Sequence, residues 1–203
     1  MLTFDAVTCV RGRRVLFEDL CFSLAPGGAA LVTGPNGVGK SSLIRLAAGL
    51  LSPAAGSITG DARRALLTDQ TSLDEELPLA RALAFWARLD GAADTVAAAL
   101  DALALTDLAD IPVRLLSTGQ RRRAAIARVL ASGAPLWLLD EPANGLDAAA
   151  LGLLETAIAR HRAAGGAVLV ASHTQVALPG ARAIDLSIAV PVALPDEGRE
   201  GAA

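Results

Sequence analysis

Short runs of consecutive apolar residues recur along the chain and are separated by segments of helical pattern. The runs cover 29–33, 136–139 and 167–171, and the segment 41–51 that follows the first run carries apolar residues at helical spacing. Continuous apolar strands that alternate with helices are typical of a parallel sheet covered on both faces. The pattern therefore predicts an α/β fold.

The chain departs from this alternation in two places. Its first thirty residues indicate short strands joined by turns, with strands expected at 2–7 and 15–24. Between about 73 and 130, alanine and leucine recur at helical spacing, interrupted by proline and glycine. We expect this segment to be a helical subdomain inserted into the sheet. Because no long linker separates these parts, we expect one domain over residues 1–203.

The composition excludes several classes of protein. The chain has 203 residues of which 53% are hydrophobic, enough for a sizeable core, yet no run approaches the ~18 apolar residues of a membrane-spanning helix. The first residues carry no signal-peptide pattern, so we expect the protein to remain in the cytosol. A net charge of −3 is unfavourable for a general nucleic-acid surface. Cys9 and Cys21 are expected to be core residues rather than metal ligands.

Residues 34–41, Gly-Pro-Asn-Gly-Val-Gly-Lys-Ser, match the phosphate-loop pattern G-x-x-x-x-G-K-[ST] between a predicted strand and a predicted helix. Glycines let backbone N–H groups surround phosphate oxygens, and the helix N-terminus adds a favourable dipole. Lys40 is the single lysine among 18 basic residues, and a compact ammonium suits the interior of such a loop better than a planar guanidinium. A glycine turn that only caps a helix is the alternative. We expect Ser41 to bind Mg²⁺, and we expect contacts to the phosphates of a ligand from Gly34, Pro35, Asn36, Gly37, Val38, Gly39, Lys40, Ser41 and Ser42.

A pair of adjacent carboxylates follows the apolar run 136–139. Asp140 and Glu141 are expected at the carboxyl edge of the sheet, where open α/β sheets bind ligands. We predict that Asp140 holds Mg²⁺ and that Glu141 polarises the water that attacks the γ-phosphate; solvated acids at a strand end are the alternative. His173 follows the next apolar run and is predicted to hold the same water, although a histidine there is also common as a surface or cap residue. His161, between two arginines, is expected to face solvent.

Residues 116–120, Leu-Ser-Thr-Gly-Gln, precede another alanine-rich segment of helical pattern. Ser117 and Gln120 are three residues apart and form a capping-box pattern, which predicts a helix start. A capped helix start with the free backbone of Gly119 is also an anion site. The two interpretations are compatible, so we predict a second phosphate-binding element far from the first in sequence.

Together these stretches resemble the ABC-type ATPase family. The resemblance identifies 34–41 as its Walker A motif, 116–120 as its signature with Thr118 in the third place, 136–141 as its Walker B motif and 144–147 as its D-loop. It implies a P-loop fold with an N-terminal antiparallel β subdomain, a parallel-sheet core and an inserted helical subdomain. It also implies ATP and Mg²⁺ as cofactors and a head-to-tail homodimer. The residues it assigns are Glu141, His173 and Gln70 to catalysis, Ser41, Gln70 and Asp140 to Mg²⁺, and Ser117, Gly119 and Gln120 to the partner's ATP.

Other stretches resemble one branch of that family, the ATP-binding subunits of haem exporters that serve cytochrome c maturation. The likeness lies in residues 2–17, in Thr-Asp-Gln at 68–70 and in Glu-Pro-Ala-Asn-Gly-Leu-Asp at 141–147. It implies that ATP hydrolysis drives haem export together with integral membrane permease subunits. It further implies a peripheral position on the cytoplasmic face of the inner membrane, with no haem bound by this chain itself. Two alternatives stay open: the ATPase subunit of an exporter for another substrate, and a soluble ABC ATPase outside transport.

Two features of the family remain without a firm match in the sequence. The aromatic residue that stacks on adenine in this family has no counterpart, and Arg11 is the candidate to replace it. Phe85 and Trp86, in the segment 79–89, are candidates to dock a permease helix. The core of the helical subdomain is an equally good place for both aromatic residues.

Overall fold

A computed structural model of the chain describes residues 1–69, 72–174 and 176–188. Gln70, predicted to act in catalysis and in Mg²⁺ binding, lies outside the described residues. The strands are β1 (Leu2–Arg11), β2 (Arg14–Leu24), β3 (Ala29–Thr33), β4 (Ala55–Thr59), β5 (Arg64–Leu67), β6 (Leu136–Asp140), β7 (Ala167–Ala171) and β8 (Arg182–Asp185). The helices are α1 (Lys40–Ala47), α2 (Leu79–Leu89), α3 (Val96–Ala102), α4 (Thr118–Ala131) and α5 (Ala148–Ala163). None of the helices in the described residues has the length and apolar character needed to cross a bilayer.

The strands form two sheets that differ in direction. β2, β1 and β4 form an antiparallel sheet in that order, with Leu2 opposite Leu24 and Thr3 opposite Thr59. The second sheet has the order β5-β6-β7-β3-β8, and each neighbouring pair in it is parallel. The carboxyl ends of β3, β6 and β7 therefore lie side by side at one edge, where an open α/β sheet binds its ligand. The predicted fold is confirmed.

The parallel sheet is buried on both faces, which is why its strands carry uninterrupted apolar runs. Along β6, Leu136 and Leu138 belong to the core that the sheet shares with α1 and the antiparallel sheet. Trp137 and Leu139 face the other way, into the core beneath α2, α3 and α4. Every residue of β7 is buried, and its side chains alternate between the same two cores.

Helices α2, α3 and α4 form a helical insertion between β5 and β6, in the segment where alanine and leucine recur at helical spacing. Pro78 directly precedes α2, and Gly91, with φ +69, follows it in the left-handed conformation that ends a helix without steric cost. Pro112 precedes the 3₁₀ turn Val113–Leu115, which leads into α4. The insertion thereby returns the chain to the sheet through α4, which ends just before β6.

Helix α1 is shorter than the apolar pattern over 41–51 predicts. It ends at Ala47 because Gly49 adopts φ +75 and reverses the chain. The N–H of Gly49 donates to Leu46 O at 3.0 Å, and the N–H of Leu50 donates to Arg45 O at 2.9 Å. This pair of hydrogen bonds is the Schellman arrangement, which satisfies the last carbonyls of the helix. The apolar residues beyond Gly49 misled the prediction.

Two side chains lie in surroundings that differ from those predicted. Cys9 is buried as expected, but Cys21 is exposed, because β2 presents it on the outer face of the antiparallel sheet. His161 does not project into solvent: its ring stacks on Trp137, with the ring centroids 3.8 Å apart and the planes 9° from parallel. Successive helix residues point about 100° apart, so the charge of the arginines on either side carries no information about the direction of His161.

Candidate nucleotide site

The phosphate loop joins β3 to α1 and turns on glycines in the left-handed region. Gly34 has φ +134 and Gly39 has φ +118, conformations that residues with a side chain rarely adopt. A Cβ at Gly39 would also lie 3.1 Å from Leu16 Cβ, and a Cβ at Gly34 would lie 3.0 Å from Val38 Cγ1. The first turn of α1 has no side-chain cap. Its backbone N–H groups are therefore available to an anion held by the loop.

Lys40, the first residue of α1, folds back over the phosphate loop. The residue is only 6% exposed, and its Nζ donates to Gly34 O at 2.8 Å and to Pro35 O at 3.2 Å. The same Nζ lies 3.9 Å from Glu141 Oε1. The positive charge of Lys40 thus lies between the phosphate loop and the Glu141 carboxylate, which directly follows β6.

Ser41 and Asp140 meet across the site. Ser41 Oγ donates a hydrogen bond to Asp140 Oδ1 at 3.1 Å. Burial raises the pKa of Asp140, the hydrogen bond from Ser41 lowers it, and the negative charges of Asp69 and Glu141 raise it further. A bound cation would favour the ionised carboxylate, and a hydroxyl beside a carboxylate is a set of hard oxygen donors of the kind that Mg²⁺ prefers. The residues present fit a magnesium ion.

The carboxylate of Glu141, which follows β6, contacts the residues that follow β7. Its Oε2 lies 2.8 Å from His173 Nδ1, and it accepts hydrogen bonds from the His173 N–H at 3.2 Å and from Ser172 Oγ at 3.3 Å. Glu141 itself has φ +47, an uncommon conformation for a residue with a side chain. Glutamate, histidine and lysine side chains from three different parts of the chain therefore converge on one point.

These groups border a cavity of about 400 Å³. Most of the predicted nucleotide residues line it, together with two residues that were not assigned to the nucleotide, Leu16 and Asn144. The lining consists of Leu16, Asn36, Gly37, Gly39, Lys40, Ser41, Ser42, Glu141, Asn144 and His173. Gly34, Pro35 and Val38 shape the loop from behind, and Asp140 reaches the cavity through its hydrogen bond to Ser41.

The predicted second anion element begins helix α4. Ser117 is the N-cap: its Oγ accepts a hydrogen bond from the Gln120 N–H at 3.3 Å, and its own N–H donates to Gln120 Oε1 at 2.8 Å. The predicted capping box is confirmed. A Cβ on Gly119 would lie at ordinary contact distance, 3.5 Å, from Gly145 O. Ser117, Gly119 and Gln120 lie outside the lining of the cavity beside the phosphate loop.

Three residues near the site were not predicted to belong to it. Leu16 lies on β2 and reaches the cavity only because the antiparallel sheet folds over the phosphate loop, a placement that no local pattern reveals. Asn144 is part of the segment identified as the D-loop, so its motif was the available signal. Ser172 is the residue before His173 and is buried. Arg11, the candidate for adenine, lies at the end of β1 and is not part of the lining.

The comparisons with known proteins agree with this geometry. Residues 17–144 match the family model for the ABC transporter. The chain belongs to the ABC transporter family. It is 60% identical to the cytochrome c biogenesis ATP-binding export protein CcmA of Sphingopyxis alaskensis over 180 residues, which cover 88% of this chain and 93% of that protein. It is 49% identical to the protein of the same name from Rhodospirillum rubrum, over 96% of this chain and 92% of that protein.

Solved structures of ABC proteins share the fold. A proposed ABC transporter ATP-binding protein from Pyrococcus furiosus superposes with a TM-score of 0.81 at 21% identity, over 93% of this chain and 98% of that chain. At that identity the likeness concerns the fold alone. The family model and the relatives make this chain the ATP-binding subunit of an ABC transporter, of the type that acts in cytochrome c biogenesis. Membership of that family implies membrane permease partners.

Proposed function

We propose that this chain hydrolyses ATP to drive haem export for the maturation of c-type cytochromes. The observation that carries the hydrolytic part is the convergence of Glu141, His173 and Lys40 on the cavity beside the phosphate loop. An ATP-binding protein without catalysis would have no need of a carboxylate held by a histidine at this point. The haem assignment rests on the relatives, which are cytochrome c biogenesis ATP-binding export proteins at 44–60% identity over most of the chain.

ATP would lie along the cavity with its phosphates in the loop. The backbone of the loop residues and the Nζ of Lys40 would hold the β- and γ-phosphates, and Leu16 offers an apolar surface for the rest of the nucleotide. Ser41 and Asp140 would hold Mg²⁺, joined by Gln70. When bound, the ion neutralises negative charge that develops on the phosphates. The full set of residues proposed for ATP is Gly34, Pro35, Asn36, Gly37, Val38, Gly39, Lys40, Ser41 and Ser42.

Glu141 is the proposed general base. Its carboxylate would accept the proton of the water that attacks the γ-phosphate, a contribution that is typically worth 10²–10⁴-fold in rate. His173 fixes the carboxylate through both its ring Nδ1 and its backbone N–H. It is also about half exposed at the cavity, where it can reach the same water or the γ-phosphate.

The proposed active unit is a head-to-tail homodimer. Ser117, Gly119 and Gln120 begin α4 outside the lining of their own chain's cavity, and a capped helix N-terminus with a glycine is suited to phosphate. Both facts support a role for this signature at the ATP of a second copy. The dimer would work with integral membrane permease subunits at the cytoplasmic face of the inner membrane, where haem passes through the permease and does not bind this chain. We propose no nucleic-acid partner, given the net charge of −3.

Replacing Glu141 by Gln tests the hydrolytic part. The amide is the same size but cannot accept the proton, so we expect the ATPase rate to fall about 10²–10⁴-fold while ATP still binds. We also expect the variant to accumulate as an ATP-bound dimer, seen as an earlier peak in size-exclusion chromatography with Mg-ATP. An unchanged ATPase rate would contradict the proposed base, and a monomeric variant in saturating ATP would contradict the dimer.

Complementation tests the biological part with the same variant. In a strain that lacks this gene, the wild-type chain should restore c-type cytochromes, and Glu141→Gln should not. Normal cytochrome levels in the deletion strain would remove the haem assignment and leave an exporter for another substrate or an ABC ATPase outside transport. Copurification of permease subunits with the chain distinguishes these two alternatives, because only the exporter would bring them along.

A further inference from the structure

Three consecutive arginines near the start of α4 have different surroundings. Arg121 reaches back along its own segment to Arg114 O at 3.3 Å. Arg123 donates to two carbonyls of the helical insertion, Leu103 O and Ala104 O, both at 2.9 Å. Arg122 is only 7% exposed and points instead towards the parallel sheet. A buried guanidinium is costly unless its donors are used, so its partners reveal what it is for.

The hydrogen bonds of Arg122 go to backbone carbonyls at the ends of two neighbouring strands. Asp69 Oδ1 lies 4.0 Å from the guanidinium, and Nε has no hydrogen-bond partner among the described residues. One guanidinium nitrogen donates to Thr68 O at 2.8 Å, just beyond β5. The other donates to Asp140 O at 3.3 Å and to Glu141 O, at the end of β6. One rigid planar group on α4 therefore spans the carboxyl ends of β5 and β6. Only a guanidinium has donors in a fork wide enough to do this.

The peptide that Arg122 holds belongs to the proposed general base. Glu141 has φ +47, so its backbone must be held in place by its surroundings. Its N–H donates to Ala171 O at 2.8 Å, and its carbonyl accepts from Arg122 and from the Asn144 N–H at 3.2 Å. A change in the backbone of Glu141 that turned its Cα–Cβ bond would move the carboxylate away from His173. Of the two groups that donate to the Glu141 carbonyl, only Arg122 carries a charge.

The same helix begins within the signature. Ser117 caps α4 five residues before Arg122, and a cavity of about 390 Å³ separates the first turns of α4 from the end of β5 and the D-loop. Arg122 lines this cavity together with Asp69, Glu75, Thr118, Arg121, Asn144 and Gly145. A shift of the signature on contact with a partner's phosphate would therefore reach Glu141 through one side chain.

We propose that Arg122 is a positioning residue for hydrolysis, which fixes the backbone of Glu141 from the signature helix. This inference rests on the proposed function, because it assigns a role relative to the base named there. It predicts that loss of Arg122 slows the chemical step while leaving ATP affinity intact, since Arg122 does not line the nucleotide cavity. Loss of a residue that served only the stability of the fold would lower the apparent kcat no further than the unfolded fraction of the protein at the assay temperature accounts for, and thermal unfolding measures that fraction.

The test compares Arg122→Gln and Arg122→Lys with the matched control Arg123→Gln. Steady-state ATPase gives kcat and KM, a fluorescent ATP analogue gives the dissociation constant, and thermal unfolding gives Tm for each variant. We expect Arg122→Gln to lower kcat about 10- to 100-fold, as a misplaced catalytic group does, with KM and the dissociation constant within about twofold of wild type. Arg122→Lys should lie between, because one ammonium cannot span both strand ends. Arg123→Gln loses two hydrogen bonds to carbonyl oxygens within the insertion and should keep a kcat near that of the wild type.

Each result decides for or against the proposal. A wild-type kcat in Arg122→Gln overturns it. Losses of kcat in Arg122→Gln and Arg123→Gln that both follow the loss in Tm also overturn it. If Arg122→Gln is unfolded at the assay temperature, the folded Arg122→Lys variant decides, and a wild-type kcat there overturns the proposal. If Glu141→Gln hydrolyses ATP at the wild-type rate, the proposed function is wrong, and this inference fails with it.

Discussion

Lys40 shows how a single residue type can be tied to one place in a fold. Its ammonium is enclosed by the carbonyl oxygens of Gly34 and Pro35 and by the Glu141 carboxylate at 3.9 Å. A thin four-carbon stem fits this space, whereas a guanidinium is planar and wider. The chain uses arginine for its other 17 basic residues, all outside this loop. The one lysine therefore stands where the geometry of the site excludes arginine.

His161 gives a pH-dependent prediction at the same scale. Burial lowers its pKa from the usual 6.5, and hydrogen bonds with the backbone of Ala167 and Pro135 oppose this only in part. Between the lowered pKa and 6.5 the unfolded chain binds a proton that the folded chain does not, so the free energy of unfolding falls as pH drops below 6.5. The charged side chains that share its groove are Asp94 and Arg160.

A phenylalanine at position 161 can keep the stacking on Trp137 but cannot titrate. We therefore expect His161→Phe to lose less stability than wild type between pH 7 and pH 5, measured by urea unfolding at each pH. Other titrating groups are common to both proteins, so the difference between their pH profiles isolates this residue. Parallel profiles would mean that His161 has the same pKa in the folded and unfolded chain.

Single residues also mark the limit of prediction from sequence. The types and spacing of Lys40, Asp140 and Glu141 were sufficient to predict where they would meet, because each follows or precedes a recognisable strand of a parallel sheet. Leu16 and Arg122 were not predicted, because their contacts are formed by elements distant in sequence. Spacing encodes what lies on one element; packing between elements decides the rest.

At the scale of the element, the capping box of α4 combines a stabilising and a functional role that substitutions can separate. Ser117→Ala removes the cap and should lower the free energy of unfolding by about 1 kcal/mol, or Tm by roughly 2–4 °C for a chain of this size. Ser117→Asp should keep the cap and the stability, since aspartate caps helices as well as serine does. Its negative charge would repel a partner's phosphates.

The two Ser117 variants are best compared in the Glu141→Gln background, with dimerisation in Mg-ATP followed by size-exclusion chromatography. We expect Ser117→Asp to have near-normal Tm and to remain monomeric. We expect Ser117→Ala to have lower Tm but to retain at least part of the dimer, because it adds no charge. Normal dimerisation of Ser117→Asp would show that the signature lies away from the partner's ATP.

Elements whose ends are marked by a local sequence pattern were easier to predict than elements without such a pattern. The start of α4 was predicted from its capping box, and β3, β6 and β7 from their apolar runs. The end of α1 was placed too late, because Leu50 and Leu51 continue the apolar pattern beyond Gly49 and only the left-handed backbone of Gly49 stops the helix. Strands β1 and β2 extend beyond the predicted ranges, since backbone pairing across the hairpin continues through polar residues at Arg11 and Arg14.

The whole molecule sets two cores on opposite faces of one sheet and leaves the nucleotide cavity at its carboxyl edge. The helical insertion belongs to one core and carries the signature, while the phosphate loop begins a helix of the other core. Movement of the insertion against the sheet would therefore change the spacing between signature and phosphate loop. A permease subunit bound to the insertion would therefore respond to ATP bound at the phosphate loop.

Phe85 on α2 is the residue with which to test that contact. It is 53% exposed, whereas Trp86 beside it donates its Nε1–H to Ser72 O at 2.8 Å and lies against Arg128, so replacing Trp86 would disturb the fold. Burying a phenylalanine contributes about 1.5–3 kcal/mol, and a carboxylate in its place adds a desolvation cost. We expect Phe85→Asp to weaken association with the permease at least about 10-fold.

The matched control for Phe85→Asp is Leu50→Asp, which places the same charge on another exposed apolar residue, 63% exposed, outside the insertion. Each chain is expressed together with the permease subunits, and the amount bound to membranes is compared with its basal ATPase in solution. Phe85→Asp should lose membrane association and keep basal ATPase, because Phe85 lies outside the nucleotide cavity. Leu50→Asp should keep both. If Phe85→Asp binds membranes as well as Leu50→Asp and the wild type do, Phe85 does not contact the permease. If both variants lose membrane binding equally, the loss is not specific to Phe85.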